Sequence, residues 1–344
     1  MANKRVAVAM SGGVDSSTAA AILIEKGFDV TGITMSFGLC GSQAVSSARR
    51  VSDYLGIRHR VVDFNKILEE KVINNFLKEY LAGRTPNPCV RCNQYIKFGV
   101  LLKQVLAWNY DFLATGHYVG RIKTKEGFLI RKGRDKNKDQ SYFLYRLSQS
   151  QLKNTLFPLE NFTKQAVIEI AKEMKLPVEY GNESQEICFL AGRDYRVFLK
   201  KRLAGRIKPG LILSTSGKIL GQHKGVAFYT VGQRDGLNVA LGERAYISKI
   251  DAVRNQITLA SRNDACGREF KVIRANFLIR APKKKVVYRT KIRYNHKEAQ
   301  AEVVPEKGCL RVKFKRPQFA ITPGQSAVFY KRNMVIGGGI ISYI

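Results

Sequence analysis

No run of eighteen apolar residues occurs in this 344-residue chain, and no charged-then-apolar leader with a cleavage site opens it. The chain is therefore expected to be cytoplasmic and to cross no membrane. Cysteine is sparse, with six residues in all. That excludes a secreted disulfide scaffold and, in a reducing compartment, points clustered cysteines toward catalysis or metal binding. Internal repeats and low-complexity segments are missing, and no basic run is longer than three residues, Lys283-Lys-Lys285 among them, so there is no basic tail. The most telling shortage is of acid. Only 27 Asp+Glu stand against 59 Lys+Arg, a net charge of +32. Residues 1–200 hold 30 basic and 19 acidic side chains (+11) and residues 201–344 hold 29 and 8 (+21), so the excess is C-terminal. A thermophile surface balances Lys with Glu; this chain does not, and its field suits a polyanion such as nucleic acid. The length exceeds one typical core and predicts two or three domains.

What is present begins at Ser11-Gly-Gly-Val-Asp-Ser16, between the apolar run Val6 to Met10 and the helical pattern Ser17 to Ile24. A buried strand turning tightly onto a helix N-terminus makes an anion site. Glycines let the backbone approach an oxyanion, and the first-turn N–H groups point at it. No Lys-Ser or Lys-Thr follows, so this is not a Walker A loop for a transferable γ-phosphate. The segment resembles the PP-loop of ATP pyrophosphatases, which split ATP between the α and β phosphates, with the hydroxyls of Ser11, Ser16 and Ser17 and the Asp15 carboxylate in register.

Residues 1 to about 120 alternate strand patterns (Val6 to Met10, Val30 to Met35, Arg60 to Asp63, Phe112 to Thr115) with helical ones near 17–26, 43–55, 66–82 and 96–108. The alternation predicts an α/β doubly wound parallel sheet with its ligand at the carboxyl ends of the strands, where Met35 and Gly116 lie. A small hairpin is expected within 120–147 and helices over 148–203. From about 205, short alternating segments between Gly, Pro and Asn turns predict one or two small β domains.

A second constellation is Thr85-Pro-Asn-Pro-Cys-Val-Arg-Cys-Asn93, with Ile96-Lys-Phe98 behind it. Two prolines stiffen the approach, and the Cys89 to Cys92 spacing lets both sulfurs face one point as a helix begins. That helix N-terminus, with Arg91 and Lys97, predicts thiolates. A third cysteine, Cys188, lies in Ser184-Gln-Glu-Ile-Cys-Phe189. For Cys40, Cys266 and Cys309, which have no partner motif, a structural role is expected.

These motifs fall in a specific order: Ala9-Met-Ser-Gly-Gly-Val-Asp-Ser-Ser17, Gly83 to Pro88 with Cys92-Asn93, Ala114-Thr-Gly-His-Tyr118, Lys138-Asp-Gln-Ser-Tyr-Phe-Leu144, Glu183 to Phe189, Gly205 to Gly210, Tyr229-Thr-Val-Gly-Gln-Arg234, Arg293-Tyr294 and Pro323-Gly-Gln-Ser326. Over nearly its whole length the chain resembles the tRNA-specific 2-thiouridylases of the MnmA/TrmU type. The resemblance implies a PP-loop, adenine nucleotide alpha-hydrolase-like catalytic domain over 1–203, a small central β domain over 204–265 and a C-terminal tRNA-binding β-barrel over 266–344. It implies ATP-dependent 2-thiolation of the wobble uridine of tRNA: adenylation makes the uracil C2 oxygen a leaving group, and sulfur then displaces AMP. ATP, with Mg²⁺, is expected at Ala9, Met10, Ser11, Gly12, Gly13, Val14, Asp15, Ser16, Ser17, Met35 and Gly116. Cys188 matches the persulfide carrier, and Cys92 the nucleophile that discharges it and can pair with it in a disulfide. Asn87, Pro88 and Cys89 match residues that line the target base, turned out of the anticodon stack. His117, Lys138, Asp139, Gln140, Arg293, Tyr294 and Gln325 match tRNA contacts. For these the ordinary alternatives are a solvated charge or a satisfied core residue. A sulfur-relay protein or a cysteine desulfurase is the implied sulfur donor.

The chain departs from the family pattern at Cys89, where an acidic residue is usual, and in a segment after Met35 that is shorter than usual, with Cys40 in it. Cys89, Cys92 and Cys188 are also the three thiolates that a [4Fe-4S] cluster with one open iron would need. Persulfide relay ranks first, because the two-cysteine pattern is complete without Cys89. Two other classes stand further off: a PP-loop ligase or amidase of small molecules, which needs neither +32 nor the cysteines, and a non-catalytic RNA-binding protein, which an intact Asp15 and Ser16 disfavour.

Overall fold

The apolar N-terminal run forms β1 (Arg5–Ala9), whose Val6, Ala7 and Val8 are fully buried, as a strand covered on both faces requires. In the computed structural model, which describes residues 3–38, 42–181, 187–237, 239 and 244–343, β2 (Asp29–Ser36), β3 (Arg58–Asp63) and β4 (Phe112–Thr115) join it in the parallel order β3-β2-β1-β4. The helix Val14–Glu25 lies close against this sheet because Ala19, Ala20 and Ala21, all fully buried, keep its inner face thin. The doubly wound sheet is thus the one expected. Cys40 and Glu183 to Glu186 lie outside the described residues.

The expected hairpin is β5 (Val119–Thr124) with β6 (Gly127–Lys132). The two-residue β7 (Thr155–Leu156), too short to show alternation in sequence, extends the parallel sheet beyond β4. The helical stretch expected to begin near residue 96 starts at Pro88, since Asn87 caps it by accepting from Val90 N at 3.2 Å and Pro88 takes the first helical position. The backbone then widens into π-type turns over Asn93–Leu101.

A four-stranded sheet of β8 (Gly210–Leu213), β9 (Ile219–His223), β10 (Tyr246–Asp251) and β11 (Gln256–Ala260) follows. The C-terminal strands are β12 (Cys266–Phe277), β13 (Val286–Lys291), β14 (Ala299–Glu306), β15 (Cys309–Phe319), β16 (Ser326–Lys331) and β17 (Met334–Ser342). They run in the order β12-β15-β14-β13-β16-β17, and pairing of β17 back onto β12 closes them into a barrel, which removes the exposed edges. One feature was not foreseen from sequence. The β5–β6 hairpin docks onto this barrel, with Met334 opposite Arg131 and Val335 opposite Ile130. Tyr142 Oη donates to Ser326 O at 2.9 Å across the same buried seam, and Tyr145 Oη lies 3.1 Å from Ser326 Oγ.

Candidate active site

The loop Met10–Gly13 leaves the carboxyl end of β1 and enters the Val14–Glu25 helix, which begins without a side-chain cap, so its first N–H groups stay open to an anion. Gly12 has φ +75°, and a Cβ there would overlap Ser47 and come within 2.7 Å of Ala48 N. A Cβ on Gly13 would meet only Ser11 Oγ at 3.6 Å, which leaves room above the helix end. Ser16 Oγ knits the loop, accepting from Ser11 N at 3.2 Å and donating to Gly13 O at 3.1 Å, while Ser17 Oγ also donates to Gly13 O at 3.0 Å. Gly116 follows β4 and abuts the loop so closely that a Cβ would lie 2.9 Å from Asp15 C and Ser16 N. Met35, at the end of β2, is half-buried beside the same strand ends.

Two residues that sequence reasoning gave no role complete the loop. Lys164 Nζ binds Asp15 Oδ1 at 2.7 Å, and Tyr118 Oη donates to the same oxygen at 2.6 Å. The Lys164 side chain is only 12% exposed against 35% for Asp15. Lys164 opens the helix Lys164–Glu173, directly after its Thr163 cap. A cation at a helix N-terminus opposes the macrodipole, and that local misfit was the signal available in the sequence.

The thiols gather at the start of the Pro88–Cys92 turn. Cys92 is buried and Cys89 is at the surface over it, and Cys188 sits in the turn Cys188–Leu190, anchored by Phe189 edge-on to Phe76 at 5.3 Å. Cys89, Cys92, Cys188 and Lys97 lie close enough to feel one another electrostatically. The expectation of thiolates is not met. Burial pushes the Cys92 thiol up to about 12, with Lys97 only partly opposing it, and close packing around Cys89 pushes that thiol up to about 11, with the Cys188 sulfur adding to the shift. Arg91, expected to help, is turned elsewhere, its Nε donating to Lys71 O at 2.7 Å and its guanidinium 4.9 Å from the Tyr95 ring. No disulfide joins the described cysteines, and among the described residues no group of three or more His, Cys, Asp or Glu side chains is placed to hold a metal ion. Alkylation of Cys92 by iodoacetamide is therefore expected to keep accelerating with pH toward 12 instead of levelling off near the ordinary thiol value. Because these folded-state values are raised, the native state loses stability as pH climbs from about 9 through them. A plateau near pH 9 would contradict this environment.

Gly116 and His117 connect loop and thiols. His117 packs its ring 5.8 Å from Phe98, the neighbour of Lys97 on the helix that carries Cys92. It is buried, with Nδ1 2.7 Å from Thr115 Oγ1, and desolvation with the nearby Lys97 charge drives it well below the ordinary histidine value, so the imidazole is neutral. Asp139 is buried too, its carboxylate accepting from Ser141 N at 3.1 Å, Ser141 Oγ at 2.9 Å and Gly133 N at 3.4 Å. Gln140 Oε1 accepts from Tyr118 N at 3.0 Å, and Lys138 is half-buried, its N–H bonded to Asp135 Oδ1 at 3.3 Å. Tyr294 packs 4.6 Å from Phe143, and Asn93 Nδ2 donates to Phe143 O at 3.4 Å. Gln325 Nε2 donates to Thr85 O and Pro86 O at 3.1 and 3.2 Å, tying the barrel to the segment that carries Asn87 and Pro88. Arg293, next to Tyr294 in the chain and near Tyr142, donates to Phe319 O at 2.9 Å.

Family profiles match three segments: the tRNA methyl transferase HUP domain over residues 4–192, the tRNA methyl transferase PRC-barrel domain over 196–261 and the aminomethyltransferase beta-barrel domain over 267–341. The chain is 45% identical to the tRNA-specific 2-thiouridylase MnmA of Acetivibrio thermocellus over 99% of its own length and 100% of that protein's. It is 45% identical to MnmA 2 of Thermoanaerobacter sp. (strain X514) over 98% of both. Among solved structures it is similar to the U34-tRNA thiolase NcsA from Methanococcus maripaludis with its [4Fe-4S] cluster, at 20% identity and a TM-score of 0.37, covering 59% of this chain and 68% of that one. The expected resemblance is borne out along the full sequence, and the chain belongs to the tRNA-specific 2-thiouridylase family.

Proposed function

We propose that the protein 2-thiolates the wobble uridine of tRNA, using ATP at the Ser11–Ser17 loop and sulfur delivered through Cys188 and Cys92. The observation that supports this reading is the run of neighbours from Asp15 through Gly116, His117 and Phe98, which links the Gly-rich loop to the helix that continues from Cys92. In the first step the uracil C2 oxygen attacks the α-phosphorus of ATP and pyrophosphate leaves. The open N–H groups of the Val14–Glu25 helix and the Lys164 ammonium face the charge that develops on the phosphates. Asp15 Oδ2, the oxygen not used by Lys164 and Tyr118, would hold Mg²⁺, which when bound offsets phosphate charge, while the buried hydroxyls of Ser16 and Ser17 keep the loop in shape.

In the second step the terminal sulfur of a Cys188 persulfide attacks C2 and AMP leaves. Cys92 then attacks the Cys188 sulfur, so that a Cys92–Cys188 disulfide forms and the thiolated base departs. A dithiol reductant resets the pair. High thiol values in the resting site keep Cys92 unreactive until the base arrives. Asn87, Pro88 and Cys89 line the base. Lys138, Gln140, Tyr294 and Gln325 face the RNA from the seam, while buried Asp139 and His117 brace them from below. Arg293 faces the RNA beside Tyr294. The sulfur donor is a relay protein or a cysteine desulfurase, and the protein works in the cytoplasm; among the described residues no helix is long and apolar enough to cross a membrane. Domain limits of 1–203, 204–265 and 266–344 are supported by the three matched segments, while the β5–β6 hairpin of the first domain joins the barrel sheet.

Replacing Gly116 by alanine tests the junction. The added Cβ is expected to push the Asp15–Ser16 backbone, lower the melting temperature, and cut tRNA-dependent pyrophosphate release by about 100-fold at a temperature where the variant stays folded. Wild-type release by this variant would mean that the loop does not hold the reacting phosphates.

A further inference from the structure

A shallow cleft, open to solvent, lies where the Pro88–Cys92 turn meets the barrel, and Asn87, Arg91, Gln94 and Arg146 line it. Arg146 Nη1 donates to Arg274 O at 3.5 Å, while Arg146 Nε is buried with no hydrogen-bond partner among the described residues. Arg274 holds a left-handed backbone (φ +50°) where the pairing of β12 with β17 shifts register, a conformation unfavourable for a long side chain. Burial lowers the Arg91 pKa, and the Arg146 and Arg274 charges add to that effect, so the three guanidiniums are neighbours. The acid among them, Glu79, is ion-paired with Arg84. Gathering like charges and leaving a buried donor unpaired are both costly unless an anion completes the group.

We infer that Arg91, Arg146 and Arg274 form a site for a backbone phosphate of RNA, taking the strand next to the base held at Asn87 and Pro88. Guanidinium forks match phosphate oxygens. Gln94 Oε1 decides between RNA and a free phosphate. It is a buried acceptor with no partner among the described residues, which repels a naked oxyanion but accepts from a ribose 2′-hydroxyl, the group that marks RNA. The inference rests on the proposed reaction, and its test separates the two.

The test is the affinity of the full-length protein for tRNA, without ATP, across a salt series, for wild type, Arg146→Gln, Arg146→Lys and Arg274→Gln. Losing the phosphate contact should flatten the slope of log affinity on log salt by about 0.7 to 0.9 and weaken binding about tenfold at moderate salt. Arg146→Lys should restore the slope but not the full affinity. Arg274 is exposed, so its glutamine variant should melt with wild type and guards against misfolding. Gln94→Leu should narrow the preference for RNA over a DNA strand of the same sequence. Unchanged slopes in both glutamine variants, while wild type thiolates tRNA, would overturn the phosphate site alone. Flattened slopes with no thiolation by wild type would support the site and sink the reaction instead. Binding of inorganic phosphate that Arg146→Gln abolishes, with the RNA slope intact, would make this a free-anion site and overturn the RNA assignment.

Discussion

Asp15→Asn is expected to lower tRNA-dependent pyrophosphate release by about 1,000-fold or more while changing the dissociation constant for tRNA by less than about threefold. The carboxylate is the shared partner of Lys164 and Tyr118 at the mouth of the loop, so amidation removes its charge and leaves the ammonium facing a neutral group. The basic excess lies beyond residue 200, and RNA affinity is expected to follow that charge, which the change leaves alone. Lys164→Met should act on the same step with a smaller loss, about 100-fold, and raise the KM for ATP, because a cation is removed from the phosphates but the metal-holding carboxylate stays. Thiolation by the Asp15 variant at a normal rate would remove the loop from the mechanism.

The second large effect separates the cysteines. Cys92→Ser and Cys188→Ser should each stop sulfur transfer, to below about one part in 1,000 of wild type, yet still release pyrophosphate on binding tRNA, because adenylation precedes sulfur delivery. Cys89→Asp should keep substantial activity with a persulfide donor under air. Cys89 and Cys188 are both at the surface, but the relay asks only Cys188 to carry sulfur and only Cys92 to discharge it. An inactive Cys89→Asp, together with iron and labile sulfide in wild type purified without oxygen, would replace the relay with a three-thiolate cluster.

The first half of the fold could be read from the sequence because its signals are local. Val6 to Val8 are an unbroken apolar run, Gly12 and Gly13 mark the turn, and Ala19 to Ala21 mark a helix face lying close on a sheet. Several β strands were legible as strands, but the alternating run Gly225 to Val231, expected as one, forms a 3-10 turn at Val226–Phe228 and belongs to no strand among the described residues. Strand partners were not legible, since pairing of Val335 with Ile130 joins residues far apart in the chain and leaves no local trace. That pairing has a practical consequence. A chain cut near residue 203 would expose the β6 edge and strip Tyr142 and Tyr145 of Ser326, so loss of RNA binding in such a truncation would not isolate the role of the barrel. In the site, the sequence motifs located Ser11 to Ser17, Cys92 and Gln325, but not which groups are buried. Proximity to Lys97 suggested thiolates, and only the packing around Cys92 shows that desolvation outweighs a single partly buried cation. Lys164 was missed because it stands 149 positions from Asp15, outside any motif.

The most direct measurement is nucleoside mass spectrometry of tRNA lacking 2-thiouridine after incubation with the full-length protein, ATP, Mg²⁺ and a persulfide donor. The account predicts 2-thiouridine at the wobble position alone, formed with AMP and pyrophosphate in equal amounts and absent when ATP is omitted. Sulfur incorporated without ATP, or ATP cleaved to ADP and phosphate with the uridine unchanged, would contradict it.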